Sequence, residues 1–295
     1  MQLDRGISAP GIQKVMRPAR ALIGWMNESS AIRMLSHAPG ALSEADRLGL
    51  IHAAQARVAE REIGVDQSDA IIEPPAELDD YIKALRQHAV MEQFTKEGWR
   101  VCLANLRKLC SIQPAVFLDH AAERTRTARP DDLNALARIT LPMEQSSSEF
   151  STAFDDTHQR FILTSRNPNF RIVGSFNNAM AAKGQIGIAV GFVNVTTLSL
   201  LQVIKHRGRY MLRDGNHRAL GLLANGIDSV PVLYREYGEF DNLELASGLF
   251  LPKTFLGERP PLLVDYLDDA VATEVSLPAS HKVVIVQAIE TSVVG

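Results

Sequence analysis

The fold is decided by the stretch Tyr210-Met-Leu-Arg-Asp-Gly-Asn-His-Arg-Ala-Leu-Gly-Leu-Leu-Ala-Asn-Gly226, followed by Ile227-Asp-Ser-Val-Pro-Val-Leu-Tyr234. Its first three residues form a short apolar run that is typical of a buried strand. The next residues, Asp214-Gly215-Asn216, are typical of a turn, because glycine tolerates a positive φ and Asp or Asn can cap a helix. The stretch therefore predicts a strand that ends in a tight polar corner.

A helix and a second strand follow this corner. Leucines and small residues over 217–224 predict the helix, and Asn225-Gly226 is a helix-stop signal. Residues 230–234 predict the second strand. Pro231 implies a sheet edge or the start of the strand, because proline cannot donate a hydrogen bond to a neighbouring strand. The order strand, corner, helix, strand places the polar corner at the beginning of a helix.

The corner is the candidate functional site of the chain. A helix that begins at a glycine-containing turn offers unpaired N–H groups and the positive end of its dipole, so phosphate or carboxylate groups bind there readily. Asp214 is the candidate metal ligand or proton acceptor, and His217 is the candidate acid or base. The candidate phosphate-binding residues are Arg213, Gly215, Asn216 and Arg218. The alternative is that Asp214 only caps the helix and that His217 is a packed or surface residue.

Residues 202–220, with Gly226-Ile227 and Val230-Pro-Val232, resemble the core of the ParB/sulfiredoxin superfamily. The resemblance covers about residues 196–236 and implies an α+β fold, with a mixed sheet, flanking helices and a short helix over 196–201. Members include partition proteins that bind CTP, sulfiredoxins that use ATP, free-serine kinases and ParB-like nucleases. The resemblance therefore implies a bacterial protein that uses ATP or CTP, with Mg²⁺ held at Asp214.

The corner also departs from individual members of that superfamily. Asn216 and His217 occupy the middle of the corner, where sulfiredoxins need a cysteine, so sulfinic-acid reduction is not implied. The partition proteins carry a helix-turn-helix unit after this core, whereas the chain after residue 236 is short and acidic. The acid, the glycine and the final arginine match the free-serine kinases, whose corner reads Asp-Gly-His-Thr-Arg. Since one fold hosts several activities, this match favours a nucleotide phosphate in the corner without defining the substrate.

Composition narrows the class of protein. The chain has 295 residues and a net charge of −3, which argues against a general nucleic-acid-binding surface. Lys205-His-Arg-Gly-Arg209, which is predicted as the hairpin turn between two strands, leaves a local basic contact open. Two cysteines, Cys102 and Cys110, do not make a disulfide framework, so a reduced, cytoplasmic protein is the default expectation. No apolar stretch approaches the roughly 20 residues that a membrane span needs. We therefore expect no contact with a membrane.

The first 140 residues predict a mainly helical domain. Residues 12–36 have apolar residues at helical spacing, with Pro18 as a kink or break, and 43–63 begin with acidic capping residues. Residues 99–103 leave strand and helix open, because both periodicities are present. His120 is expected on the exposed side of a charged helix. The role of this domain is open between binding a partner, covering the second domain and forming a homodimer.

The second domain is predicted over 150–295, after a junction within 125–150. Its pattern changes to strands, at 161–164, 170–173, 185–192 and 282–286. The apolar, glycine-rich residues 184–195 predict a core strand, and the superfamily core lies at 196–236.

Three functions remain open at this point. The first is a nucleotide-dependent phosphotransferase or nucleotide hydrolase acting on a small molecule, because phosphoryl transfer depends mainly on positioning and charge neutralisation. The second is a nucleotide-sensing or scaffold module without turnover. The third is a ParB-like DNA-binding protein or nuclease, which the acidic net charge disfavours.

Overall fold

The computed structural model of the chain describes residues 15–36, 38–40, 42–144, 150–165, 170–182, 185–196, 198–240, 243, 245, 248–279 and 282–287. It contains two compact units. The main unit comprises residues 16–143 and 199–277, and the minor unit comprises residues 1–15, 144–198 and 278–295. Helices and strands are both abundant, which confirms the predicted α+β class.

The main unit carries the eight α-helices of the described residues. They are α1 (Glu28–Leu35), α2 (Glu44–Ala59), α3 (Asp79–Gln87), α4 (Met91–Lys96), α5 (Leu118–Thr125), α6 (Leu133–Thr140), α7 (Asn216–Ala224) and α8 (Pro252–Phe255). Short 3₁₀ helices lie at Ile23–Trp25, Ala76–Leu78, Leu106–Lys108 and Leu263–Leu267. The strands are β1 (Met16–Ala21), β2 (Ile71–Ile72), β3 (Arg100–Asn105), β4 (Cys110–Ser111), β5 (Ala115–Phe117), β6 (Phe150–Asp155), β7 (Arg160–Ser165), β8 (Phe170–Ala182), β9 (Gln185–Thr196), β10 (Gln202–His206), β11 (Arg209–Asp214), β12 (Ser229–Tyr237), β13 (Thr273–Pro278) and β14 (Lys282–Gln287), of which β6 to β9 and β14 lie in the minor unit.

A six-stranded mixed sheet forms the centre of the main unit, in the order β2-β3-β12-β10-β11-β4. Strands β10 and β11 form the predicted antiparallel hairpin, and β12 returns parallel to β10 after α7. Both faces of the sheet are buried, since neighbouring residues such as Val203 and Ile204 belong to different hydrophobic clusters. The predicted order strand, corner, helix, strand is confirmed.

Burial of both faces also explains the ambiguous residues 99–103. Residues 100–103 belong to β3, in which Val101, Cys102, Leu103 and Ala104 are all buried, and Trp99 directly precedes it. A strand with two covered faces has a continuous apolar run and no alternation of polar and apolar residues. The periodicity of the sequence alone therefore could not separate strand from helix here.

Pro231 lies near the beginning of a central strand. It is the third residue of β12, and it pairs with Leu103 of β3. Pairing of β12 with β10 begins only at Leu233. The sheet edge, predicted as one alternative, is therefore wrong, because β12 lies between β3 and β10. The other alternative, a position near the start of the strand, is confirmed. The N–H group that Pro231 lacks falls before the part of β12 that pairs with β10.

A second sheet, in the order β13-β1-β5, corrects the prediction of a helix over residues 12–36. Residues 16–21 form β1, 23–25 form a 3₁₀ helix and 28–35 are α-helical, while residues 12–14 lie outside the described part. Pro18 excludes a helix interior because it lacks the N–H donor and clashes with the preceding turn. The helix predicted at residues 43–63 is confirmed as α2, which ends at Ala59 and begins with a capping box between Ser43 and Asp46.

Helices α5 and α7 pack closely through a glycine. A Cβ atom on Gly221 would lie 2.5 Å from Oγ1 of Thr125 and still closer to the carbonyl oxygen of Ala121. Both distances are far below van der Waals contact, so the two helix backbones would have to move apart.

We expect Gly221→Ala to lower the free energy of unfolding by about 2 kcal/mol, although alanine is the better helix former. Gly49→Ala is the matched control, because Gly49 lies inside α2 and a Cβ atom there would have no neighbouring atom within 4 Å. That control is expected to raise the free energy of unfolding by up to about 1 kcal/mol. Urea denaturation measures both, and equal changes in the two variants would contradict close packing at Gly221.

The minor unit is made of strands. Its described elements are a three-stranded sheet, β14-β7-β6, and a two-stranded sheet, β8-β9. The strands predicted near 161–164, 170–173, 185–192 and 282–286 are confirmed. The expectation of a core strand over 184–195 is wrong in one respect, because Val190 and Val193 of β9 are exposed. Gly184 lies outside the described part of the chain.

The structure divides the chain differently from the predicted domains 1–140 and 150–295. Residues 16–143 and 199–277 share one unit, because β3 from the first half is paired with β12 from the second. Strand pairing between distant segments leaves no local signal, so a single boundary near 125–150 was the simplest expectation.

Among the described residues, none of the helices combines the length and apolar character required for crossing a bilayer.

Candidate functional site

The polar corner lies between the end of β11 and the start of α7. Gly215 has a φ of 96°, in the left-handed region that favours glycine. A Cβ atom here would lie 2.8 Å from Cγ of Leu201, so the corner also packs too closely for a side chain. The turn chemistry predicted from the sequence is confirmed, and the backbone conformation is what allows α7 to begin directly after β11.

Residues 198–201, expected as part of a short helix, carry no helix. Their backbone groups bond elsewhere: the Leu201 amide donates to the carbonyl of Thr140 at 2.8 Å, and the Leu201 carbonyl accepts from the Leu233 amide at 2.9 Å. The segment therefore joins α6 and β12 to the corner, and it brings Ser199 beside Asp214.

Asp214 is half-buried and held by two donors. The Ser199 hydroxyl donates to Oδ2 at 3.1 Å, and the Gly215 amide donates to Oδ1 at 2.6 Å. Within the described residues, no group of three or more His, Cys, Asp and Glu side chains is arranged to hold a metal ion. A Mg²⁺ ion at Asp214 would therefore take most of its ligands from phosphate oxygens and water, as Mg²⁺ commonly does at nucleotide sites.

Arg218 is buried and donates to the protein itself. Its Nη1 atom lies 3.0 Å from the Ile139 carbonyl, 3.3 Å from the Thr140 carbonyl and 2.7 Å from the Ser199 carbonyl, and Nη2 lies 2.8 Å from the Ser199 hydroxyl. Burial lowers the pKa of Arg218 to about 10, while Asp214 acts in the opposite direction. The sequence predicted that this guanidinium group binds the ligand. In the structure it donates to carbonyls at the C-terminal end of α6, where the helix carbonyls carry partial negative charge.

Arg213 contacts a different part of the main unit. Its guanidinium lies over the ring of Trp99, 5.6 Å from the centroid, and donates to the hydroxyl of Tyr237 at 3.4 Å. Asn216, the first residue of α7, is buried, and its Oδ1 atom has no hydrogen-bond partner among the described residues. The two arginines of the corner thus contact different elements, and the sequence alone did not separate them.

His217 turns toward α5, and its surroundings were not predicted. Its ring lies parallel to that of Phe117, with the centroids 5.9 Å apart, and 5.2 Å from the ring of His120. The Nε2 atom of His217 is buried without a hydrogen-bond partner in the described part of the chain. His120 is half-buried in this contact, so its expected position on an exposed helix side is wrong. The sequence contains no signal for the contact, because the two imidazoles come from distant segments.

Two arginines, Arg17 and Arg124, lie near the two imidazoles. We call Arg17, His120, Arg124 and His217 the basic cluster. Arg17 donates from Nε to Oδ2 of Asp119 at 2.5 Å, and its guanidinium also contacts Nε2 of His120. The second oxygen of Asp119 accepts from the His120 amide at 2.7 Å. Both oxygens of this neighbouring carboxylate are therefore engaged.

Charges of both signs act on the two imidazoles of the cluster, positive from Arg17 and Arg124 and negative from Asp119 and Glu123. Burial is the main cause that lowers the pKa of His217 to about 3, with His120, Arg124 and Arg17 acting in the same direction and Asp119 opposing them. Burial and Arg17 also lower the pKa of His120. Arg124 is half-buried and forms no ion pair with a carboxylate in the described part of the chain. Both imidazoles are consequently neutral at pH 7, and each retains one N–H donor.

The cluster also lies at two helix beginnings. His120 is the third residue of α5 and His217 is the second residue of α7, and neither helix begins with a side-chain cap. The first amides of a helix lack intrahelical acceptors and mark the positive end of the dipole. At the start of α5 the His120 amide already donates to Asp119, so the start of α7, two guanidinium groups and two imidazoles form the environment suited to a compact anion.

Searches of this chain against models of protein families, curated proteins and solved structures found no match.

Proposed function

We propose that this chain binds a nucleotide or another small phosphorylated ligand, with a phosphate group at the basic cluster next to the corner Asp214–Arg218. The observation that carries the proposal is the buried Nε2 atom of His217, which has no hydrogen-bond partner among the described residues although Arg17 and Arg124 lie close enough to lower its pKa. A buried polar atom without a partner costs free energy, and a phosphate oxygen or a phosphate-bound proton would provide one.

The arginine hydrogen-bond donors of the cluster support an anion more than a neutral ligand. Arg124 has no carboxylate partner in the described part of the chain, and Asp119 is already engaged by Arg17. A phosphate group offers several acceptor oxygens, which suit the forked donors of arginine and the first amides of α7. The ParB/sulfiredoxin resemblance, in which the same corner binds nucleotides, agrees with this ligand class.

Phosphoryl transfer to a small molecule is the catalytic extension of this proposal. Asp214 would hold Mg²⁺ together with phosphate oxygens of ATP or CTP, and the bound metal would neutralise charge on the transferred group. Asp214 already accepts a hydrogen bond from Ser199, which orients its carboxylate. A turnover assay with ATP, CTP and free amino acids tests this step separately from binding.

A nucleotide sensor without turnover is the second candidate. The supporting observation is that Arg218 uses its donors on three backbone carbonyls and on Ser199, so it has less capacity to stabilise charge on a reacting phosphate. Tight binding of a nucleotide with no product after prolonged incubation would favour this candidate over the phosphotransferase.

Arg124→Gln is expected to weaken the binding of pyrophosphate, ATP and CTP about tenfold, because a charge-assisted contact to phosphate contributes about 1.5 kcal/mol. His217→Gln removes the imidazole and is expected to act in the same direction. Titration calorimetry at fixed salt measures both. Arg86→Gln is the matched control, since Arg86 is an exposed arginine of α3. Equal affinities in all four proteins, or no binding at all, would contradict the proposed site.

A further inference from the structure

The main unit also contains a cavity that shares no residue with the basic cluster. It has a volume of about 780 Å³ and lies between the start of α1, the 3₁₀ helix Ile23–Trp25 and residues 248–254. This volume falls within the range of roughly 300 to 1,000 Å³ that is usual for small-molecule sites.

The wall of the cavity is mainly apolar. It is formed by Trp25, Met26, Met34, Leu249, Phe250 and Leu277. Phe250 packs against all three hydrophobic clusters of the main unit, so the cavity lies where these clusters meet. The two methionines have flexible, polarisable side chains that adapt to differently shaped ligands. The wall therefore suits a hydrocarbon or aromatic body.

The frame of the cavity is held in place before any ligand binds. A Cβ atom on Gly24 would lie 2.9 Å from Cγ2 of Val58, which shows how closely this segment packs on α2. Gln55 of α2 donates to the carbonyl of Met26 at 2.9 Å, and the indole N–H of Trp25 donates to the carbonyl of Arg259 at 2.7 Å. A preformed pocket loses less entropy when a ligand binds.

The charges at the cavity have one sign. Arg33, in the last turn of α1, and Lys253, in α8, both line it, and the described lining includes no Asp or Glu. Neither cation forms an ion pair with a carboxylate in the described part of the chain. An apolar wall next to two cations of this kind is complementary to a ligand with an apolar body and an anionic head.

From these features we infer that the cavity binds a small amphipathic carboxylate, with its tail against Trp25 and Phe250 and its head at Arg33 and Lys253. Asn27, Ser30 and Thr254 also line the cavity and provide further polar atoms for the head. This inference is independent of phosphate binding at the basic cluster, because the two sites share no residue.

The test is titration calorimetry of the full chain with decanoate as the probe. Decanoate is expected to bind, whereas acetate, which lacks the tail, and decyltrimethylammonium, which carries the opposite charge, are expected to bind at least tenfold more weakly. Equal binding of decanoate and the cationic amphiphile would overturn the inference, because the cavity would then be recognising a tail alone. Absence of decanoate binding would overturn it as well.

Variants locate the binding within the structure. Arg33→Gln and Lys253→Gln are each expected to weaken decanoate binding about fivefold, as is usual for contacts of partly exposed charges. Lys83→Gln, which changes an exposed lysine of α3, is the matched control and should leave the affinity unchanged. Ser30→Trp fills the cavity and should abolish binding. If Ser30→Trp does not fold, the two charge variants decide, and unchanged affinity in both would place decanoate elsewhere and overturn the inference.

Discussion

Arg218→Met is expected to lower the free energy of unfolding by about 4 kcal/mol, one of the two largest effects that the structure predicts. Methionine replaces the stem of the side chain as far as the Nε position but removes every donor. The carbonyls of Ile139, Thr140 and Ser199 then lose a buried partner. A buried acceptor without a donor costs about 1 to 3 kcal/mol, and the effects at one site are not fully additive.

Arg218→Lys is the informative companion of this variant. Lysine keeps the charge but replaces the planar fork by a single ammonium group, so it can satisfy only part of the acceptors. We expect its free energy of unfolding to lie between those of the wild type and Arg218→Met. Urea denaturation followed by circular dichroism measures all three proteins, and Arg86→Met, at an exposed position of α3, is the control with little expected effect.

The outcome decides between two roles for Arg218. If the guanidinium were mainly a ligand clamp, as expected from the sequence, both substitutions would leave unfolding within about 0.5 kcal/mol of the wild type, which is usual for surface changes. They would instead abolish nucleotide binding in a folded protein. A large loss of stability supports the structural role and makes Arg124, rather than Arg218, the better residue for testing phosphate binding.

The second large effect concerns the pH dependence of stability at His217. In the folded chain its pKa is lowered to about 3, mainly by burial and then by His120, Arg124 and Arg17, with Asp119 opposing. An unfolded histidine titrates near a pKa of about 6.5. Between these two pH values the unfolded chain binds the extra proton, so the free energy of unfolding falls as the pH is lowered below about 6.5.

The expected loss from this one residue is about 2 kcal/mol between about pH 6.5 and pH 5, since each pH unit within the window contributes about 1.4 kcal/mol. His217→Gln removes the titrating group and should flatten the profile by a similar amount. Gln87→Ala, at an exposed position of α3 that carries no titratable group, is the control and should retain the wild-type slope. Denaturation with urea at several pH values measures the slopes, and equal slopes in wild type and His217→Gln would contradict burial of a neutral imidazole.

The same measurement is linked to the proposed anion site. A bound anion favours the protonated form of His217, so it raises the pKa of this residue. The acid-induced loss of stability should then become smaller in the presence of sulfate, whose charge does not change over this pH range. Arg124→Gln should reduce that protection. A profile that sulfate does not alter would argue against an anion next to His217.

Local chemistry made part of the fold and of the site predictable. The positive φ at Gly215, the stop at Gly226 and the helix between them follow from residues that act on their own neighbourhood. The polar residues of the corner were also found as a group, because they are consecutive. Their partners were not predictable in this way, since Ser199, Ile139 and His120 come from other segments.

The sequence by itself determined the α+β class, the hairpin, the helix that follows the corner, and the presence of basic and acidic groups at its start. Only the tertiary structure decided that Arg218 bonds to backbone carbonyls and that His217 meets His120 between two helix beginnings. The physical reason is the range of the forces involved. Turn and helix preferences act over a few neighbouring residues, whereas burial, unpaired charge and hydrogen-bond partners depend on which distant segments the packed sheet brings together.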